Sequence, residues 1–442
     1  MRDVLIMSIV VLGALAALRR PWIGVMLWTW VSLMNPHREA YGFAYDMPVA
    51  AIAAGSTLLG LLMTQDRDSP FKGSPAVILA VFMVWITLSL LAGLDPSGDY
   101  EQWSKVMKIY LMTLVALALL HTKEHIIAFA WVIAGSLALL GAKGGIFTIA
   151  TAGGYRVWGP PDTFIAENNA FAVAIIMTIP LVRFLQLQLS SRWGRLALTS
   201  VMVLLAVCAL GSQSRGALLA LVAMTIVMWW RQKRQRLVGA VLLLTLGALL
   251  VVFMPDSWQT RMSTIKTYDA DLSAMGRIAA WWVAWGIGFD YPLGVGFFAA
   301  RPELFAKYSP YMELLAGHFP VAHSIYFQML GHHGFVGLGL FLALWIATWR
   351  TASRVRAQCK DIPQAQWCSD LCAMIQVSLV GYAVGGAFLD IGYFDLPYNL
   401  MVLAVLTSVW LRTKAWEREA PPGEGRWVLP GLRPDLPKTR PA

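Results

Sequence analysis

Charge is what this sequence has least of. Only 14% of its 442 residues are Asp, Glu, Lys or Arg, 58% are hydrophobic, and mean hydropathy is +0.60. Soluble domains carry about a quarter charged residues, so a soluble globular chain is excluded. Cysteine is scarce too: Cys208, Cys359, Cys368 and Cys372 are the four present. Three of them lie on or beside a basic stretch where thiols stay reduced, which excludes a disulfide framework. Cys368 and Cys372 share a helical face, but no histidine stands near them to complete a zinc set. The N-terminal run does not read as a secretory signal. The run 4–18 has a suitable length, but Met1, Arg2 and Asp3 are charge-balanced and a second apolar run follows at once. No internal repeat is visible, whereas transporters tend to show one.

Long apolar runs are what the chain has instead. They fall at 4–18, 22–34, 47–63, 74–93, 105–120, 126–148, 168–188, 195–211, 214–230, 237–254, 321–349, 371–391 and 395–411. Hydrocarbon accepts a backbone only when its polar groups are satisfied internally, so these runs predict an all-α polytopic membrane protein of 12 or 13 transmembrane helices. The first two are short and predict a tilted hairpin or a partly re-entrant pair. The 20 tryptophans suit interfacial belts. The net charge of +10 fits basic cytoplasmic connections and anionic membrane lipids or phosphates as partners, and is not read as a nucleic-acid signal.

Basic clusters at 183–195, 231–236, 350–360 and 412–418 fall on alternate connections, which predicts that they are cytoplasmic. The less basic 94–104, 149–167 and 255–320 then face the periplasm. The expected organisation is a transmembrane bundle over 1–254, a large periplasmic loop with interfacial helices over 255–320, transmembrane helices over 321–412, and a disordered cytoplasmic tail over 413–442.

The 255–320 loop and its flanks hold most of the chemistry. Arg277 opens a stretch containing Trp281, Trp282 and Trp285, which reads as an interfacial helix. Arg215 sits in a polar break with Ser212 and Ser214 between two glycines, where backbone and guanidinium can approach an anion. Lys143 and Arg156 bracket 149–167 and could add cations to the same pocket. His323 stands at the mouth of a span, and an imidazole titrating near neutrality suits a general base. A zinc site from His323, His332 and His333 is not indicated by their spacing. Asp269 and Asp271 have the one-residue spacing that can hold a divalent cation, but such short matches arise often by chance.

At these residues the chain resembles the O-antigen ligase and polymerase superfamily of bacterial membrane glycosyltransferases, over roughly 20–412. Ser214, Arg215 and Gly216 resemble its arginine turn. Gly276 and Arg277, then Pro292, Gly294 and Gly296, resemble its large loop. His323, with Tyr326, Gln328, Leu330 and Gly334, resembles the signature opening the next span, although Ser324 replaces the common Asn and His332 stands where many members carry Glu. These departures, with Gly159, Pro160, Pro161 and Glu167, are similar to the branch of O-glycosylation ligases found with exosortase systems.

The resemblance implies a bacterial inner-membrane enzyme with its active site facing the periplasm. It moves a glycan from undecaprenyl diphosphate to an acceptor hydroxyl, on a lipid A–core sugar or a protein. Attack opposite the leaving group would invert the anomeric centre, and fixed cations at the site are expected to neutralise the leaving group without a metal or cofactor. It implies that Arg215 and Arg277 hold the diphosphate, with Lys143, Arg156 and Ser214 as further binding residues, and that His323 deprotonates the acceptor. A polysaccharide polymerase and a non-catalytic transporter of the lipid-linked glycan are the alternatives.

Overall fold

A computed structural model describes residues 1–231, 272–315 and 317–418. The sequence readings at 232–254, at Asp269 and Asp271, and over 419–442 lie outside the described residues. All regular structure within them is helical. The helices are α1 (Arg2–Arg19), α2 (Pro21–Met34), α3 (Val49–Met63), α4 (Ser74–Leu91), α5 (Pro96–Leu119), α6 (Lys123–Ala150) and α7 (Asn168–Gln188). They continue with α8 (Arg192–Gly211), α9 (Arg215–Arg231), α10 (Leu272–Asp290), α11 (Pro302–Tyr308), α12 (Ile325–Gln358), α13 (Gln366–Gly385) and α14 (Asp395–Arg412). Among the described residues, six stretches are long and apolar enough to cross a membrane: α4, α6, α7, α8, α12, and α13 with its flanking turns over Pro363–Phe388. The apolar helices α2, α3 and Arg215–Trp229 are shorter. Lys105 and Lys108 interrupt α5, and α14 opens with Asp395 and carries Asn399.

The polar breaks between runs set the helix ends. Asp95 caps α5 by accepting the Gly98 N–H, with Pro96 in the first turn, where a missing N–H does no harm. Thr122 caps α6 and Ser191 caps α8 in the same way. Apolar all round, α7 is almost wholly buried against α6, α8, α9 and α13. α14 is likewise buried, against α5, α6, α12 and α13.

The connections gather at two ends. At one, Asp3 accepts the Ala44 N–H, Arg38 pairs with Asp162 at 3.5 Å, and Leu94 N–H bonds the Val295 carbonyl. At the other, His121 meets Asp66 at 3.4 Å, Arg412 bonds the Lys72 carbonyl, and Arg183 and Arg356 both act on Asp370. The first end carries the site.

With 34 residues, α12 would be about 51 Å long, far more than one crossing needs. It breaks at Gly334 (φ 67°, ψ −173°), leaving a short first segment folded against α10. The break strands carbonyls that an unbroken helix would satisfy. The 292–298 turn supplies their partners: Val295 N–H reaches the Gly331 carbonyl, and Gly296 N–H reaches the His332 carbonyl. Gly294 (φ +78°) lies so close that a Cβ there would strike the His332 carbonyl. Gly294→Ala is therefore expected to destabilise the detergent-solubilised protein by on the order of 1–3 kcal/mol, seen as a lower melting temperature. Gly339→Ala, in open space on α12, should leave it unchanged or slightly raised.

Candidate functional site

His323 is the last residue but one before α12, and it is held in a left-handed conformation at φ +44°. Few side chains adopt that geometry, and a residue kept there is over-determined by its surroundings. The constraint is Asp390, on the loop between α13 and α14. Its carboxylate accepts the His323 N–H at 2.9 Å and also the Ser324 N–H, so it satisfies two donors at the start of α12. The same carboxylate oxygen lies 3.5 Å from His323 Nδ1, which leaves Nε2 for another partner.

The Asp390 loop is fixed from several sides. Gln328 accepts the Gly392 N–H at 3.0 Å, and Tyr398 donates to the Gly392 carbonyl at 2.7 Å. Tyr393 bonds His333 Nε2 at 2.6 Å and His332 Nδ1 at 3.0 Å, while His333 Nδ1 meets Ser89. Those two histidines thus serve the loop between α13 and α14.

Burial pushes the Asp390 carboxyl up to about 6, against the pull of the two amides, with Glu167 raising it further and Arg277 lowering it. Burial and then the Arg277 charge lower His323, which Glu167 opposes. Four charged or titratable groups, Arg277, His323, Asp390 and Glu167, therefore share one electrostatic site.

Two cavities meet there. The larger, about 490 Å³, is lined by His323, Asp390, Glu167, Asp162, Lys105 and Gln328 among others. The smaller, about 170 Å³, is lined mainly by apolar residues such as Val283, Phe297 and Phe327. Gln102, Val321, Gln328 and Asp390 border both.

Arg277 arrives on α10, which Trp281 ties down by donating to the Ala322 carbonyl at 2.7 Å and stacking on Phe327 at 5.0 Å. Trp282 and Trp285 are exposed, whereas Trp281, expected beside them at a membrane interface, is turned inward by that bond and that stack. Arg215 is the exposed first residue of α9, and Gly216 packs by Phe388, two residues before Asp390. Ser214 is buried, and its hydroxyl accepts the Ala217 N–H at 3.2 Å, capping α9. Arg156 donates to Gln213 at 3.3 Å, and Lys143 pairs with Glu39; neither lines the two cavities. The sequence reading passed over Asp390 and Lys105. An ionisable residue at the edge of an apolar run, as Asp390 is in 371–391, was the available signal.

A base beside a half-buried carboxylate and a guanidinium, opening on a polar cavity, can remove a proton from a hydroxyl near an anion. Residues 1–190 match a family of unknown function (DUF5935). No match is found among curated proteins. Residues 200–342, which carry Arg215, Arg277 and His323, match the O-antigen ligase family, and that match supports the O-antigen ligase superfamily for this part of the chain.

Proposed function

We propose that the protein is an O-antigen ligase-type glycosyltransferase of the bacterial inner membrane. It transfers a glycan from undecaprenyl diphosphate to a hydroxyl of a lipid A–core sugar or a protein. The observation that carries this reading is the His323–Asp390 pair at the mouth of the larger cavity, with Arg277 acting on both residues. The end bearing the site is the periplasmic one. In support, Arg183, Arg356 and Arg412 lie at the opposite end, where basic residues belong on the cytoplasmic side.

In the proposed reaction Asp390 holds Nδ1 of His323, and Nε2 takes the proton of the acceptor hydroxyl. The acceptor oxygen attacks the anomeric carbon from the face opposite the diphosphate, so the C–O bond to the new sugar forms as the C–O bond to phosphate breaks. Configuration inverts. The departing diphosphate gains charge, which the guanidinium groups of Arg277 and Arg215 stabilise without reorganising. Fixed cations perform the neutralisation a metal would otherwise supply, so no metal is needed. Lys143 and Arg156 remain proposed outer contacts for the donor, and Ser214 a proposed binding residue through its hold on the α9 turn. The exosortase-linked branch is the finer assignment favoured by Glu167 and its neighbours.

Cells lacking the protein are expected to accumulate undecaprenyl-linked glycan and to lose the glycan from its acceptor. A profile with acceptor glycosylation intact and no accumulation would remove the ligase reading. Shortened chains that still reach the acceptor would identify a polymerase instead.

A further inference from the structure

The two sides of His323 differ in chemistry. On one, α10 brings Arg277 and, through Ala280, Val283 and Ala284, lines the smaller, mainly apolar cavity. On the other, the larger cavity adds the carboxylates of Asp162 and Glu167 and the ammonium of Lys105 to Asp390, Gln102 and Gln328, which border both. Carboxylates only accept hydrogen bonds, and an ionised diphosphate also only accepts, so the two repel. Sugar hydroxyls both donate and accept, which matches a wall that mixes carboxylates, amides and an amine.

Glu167 sharpens the point. It occupies the N-cap position of α7, yet its side chain makes no cap bond and is exposed on the cavity, where it acts on His323. The oxygen of Gln328 is taken by Gly392, so its NH₂ is what remains to offer. Lys105 Nζ stands 4.3 Å over the ring of Phe164, with no carboxylate of the described residues in ion-pair contact. The volume of about 490 Å³ lies within the range of about 300–1,000 Å³ for small-molecule pockets.

We infer that the larger cavity is the acceptor-sugar subsite, and that residues of the 1–190 segment, Gln102, Lys105, Asp162 and Glu167, form its specificity-determining wall. The hydroxyl-bearing acceptor enters from the Glu167 side and the diphosphate lies on the Arg277 side, with His323 between them. The inference rests on the ligase reading of the same site.

The test uses full-length protein in membranes, undecaprenyl-diphosphate-linked glycan as donor and lipid A–core glycolipid as acceptor, each varied at saturating levels of the other. Glu167→Gln and Gln102→Ala are each expected to raise the acceptor KM about tenfold and to leave the donor KM within about twofold. A rise in donor KM alone overturns the inference, and so does no change in either. A photo-crosslinking side chain placed at Thr163, which lines the same cavity, reads binding without turnover. An adduct with the glycolipid supports the subsite, and an adduct with the donor alone overturns it. A glycolipid adduct in the Thr163 crosslinking variant, with no transfer by the wild-type protein, would overturn the ligase reading and leave the acceptor subsite standing.

Discussion

His323→Ala is expected to lose glycan transfer by about a hundred- to ten-thousand-fold while reaching the membrane in normal amount. The loss follows from position as much as from chemistry: the imidazole is presented by a strained backbone that Asp390 holds by two amides. Alanine at φ +44° keeps those amide bonds, so the variant separates the missing base from a missing fold. The dyad also sets a pH dependence. Burial and the Arg277 charge lower His323 from its usual value while burial raises the Asp390 carboxyl to about 6, so the two titrate as a pair and transfer should fall as that pair takes up a proton at acid pH. A protonated imidazole is no base, and a protonated carboxyl no longer orients Nδ1. Asp390→Asn should lower the rate and shift that limb. Full activity of His323→Ala, measured as glycolipid product, would leave the acceptor without its proposed base.

The second large effect concerns the arginines. Arg277→Ala is expected to lower the rate by about a hundred- to a thousand-fold, the scale for removing a preorganised donor to developing negative charge. The Arg277 charge favours the Asp390 carboxylate and disfavours the His323 imidazolium, so its removal raises the pKa of both groups. The acid limb should therefore move to higher pH. Arg277→Lys keeps the charge, so the limb should stay in place while the rate still falls, since lysine lacks the planar fork that grips two phosphate oxygens. A large loss is likewise expected for Arg215→Lys. Near-native transfer by the lysine variants, in a pH–rate series with purified protein, would show that the fork is not used.

Much of the scaffold was legible because membrane helices announce themselves. The apolar runs within the described residues fall on helices, and the stretch of Trp281, Trp282 and Trp285 is helical as well. The sequence singled out His323 and Arg277 beside breaks in apolarity, and the fold brings both to one place with Asp390 and Glu167. Asp390 was not singled out. It sits at the end of a long hydrophobic run, and its importance comes from a contact with His323 across 67 positions of sequence. Lys105 was hidden for a related reason: on a single line it reads as a charge at the mouth of a span, and only the packing of α5 against the 162–167 segment turns it toward the cavity. The glycine pattern at Gly294 and Gly296 could be matched to a family, but its physical reason, satisfying the carbonyls freed by the break at Gly334, is tertiary.

The central claim is that fixed guanidinium groups and a histidine base transfer a glycan from a lipid diphosphate without metal. The most direct measurement is transfer by the purified full-length protein, with undecaprenyl-diphosphate-linked glycan and lipid A–core glycolipid, before and after EDTA and then with magnesium or manganese restored. The account predicts a single en bloc addition of glycan to the glycolipid, unaffected by chelation. Activity that vanishes with EDTA and returns with metal would contradict it, and would turn attention to Asp269 and Asp271.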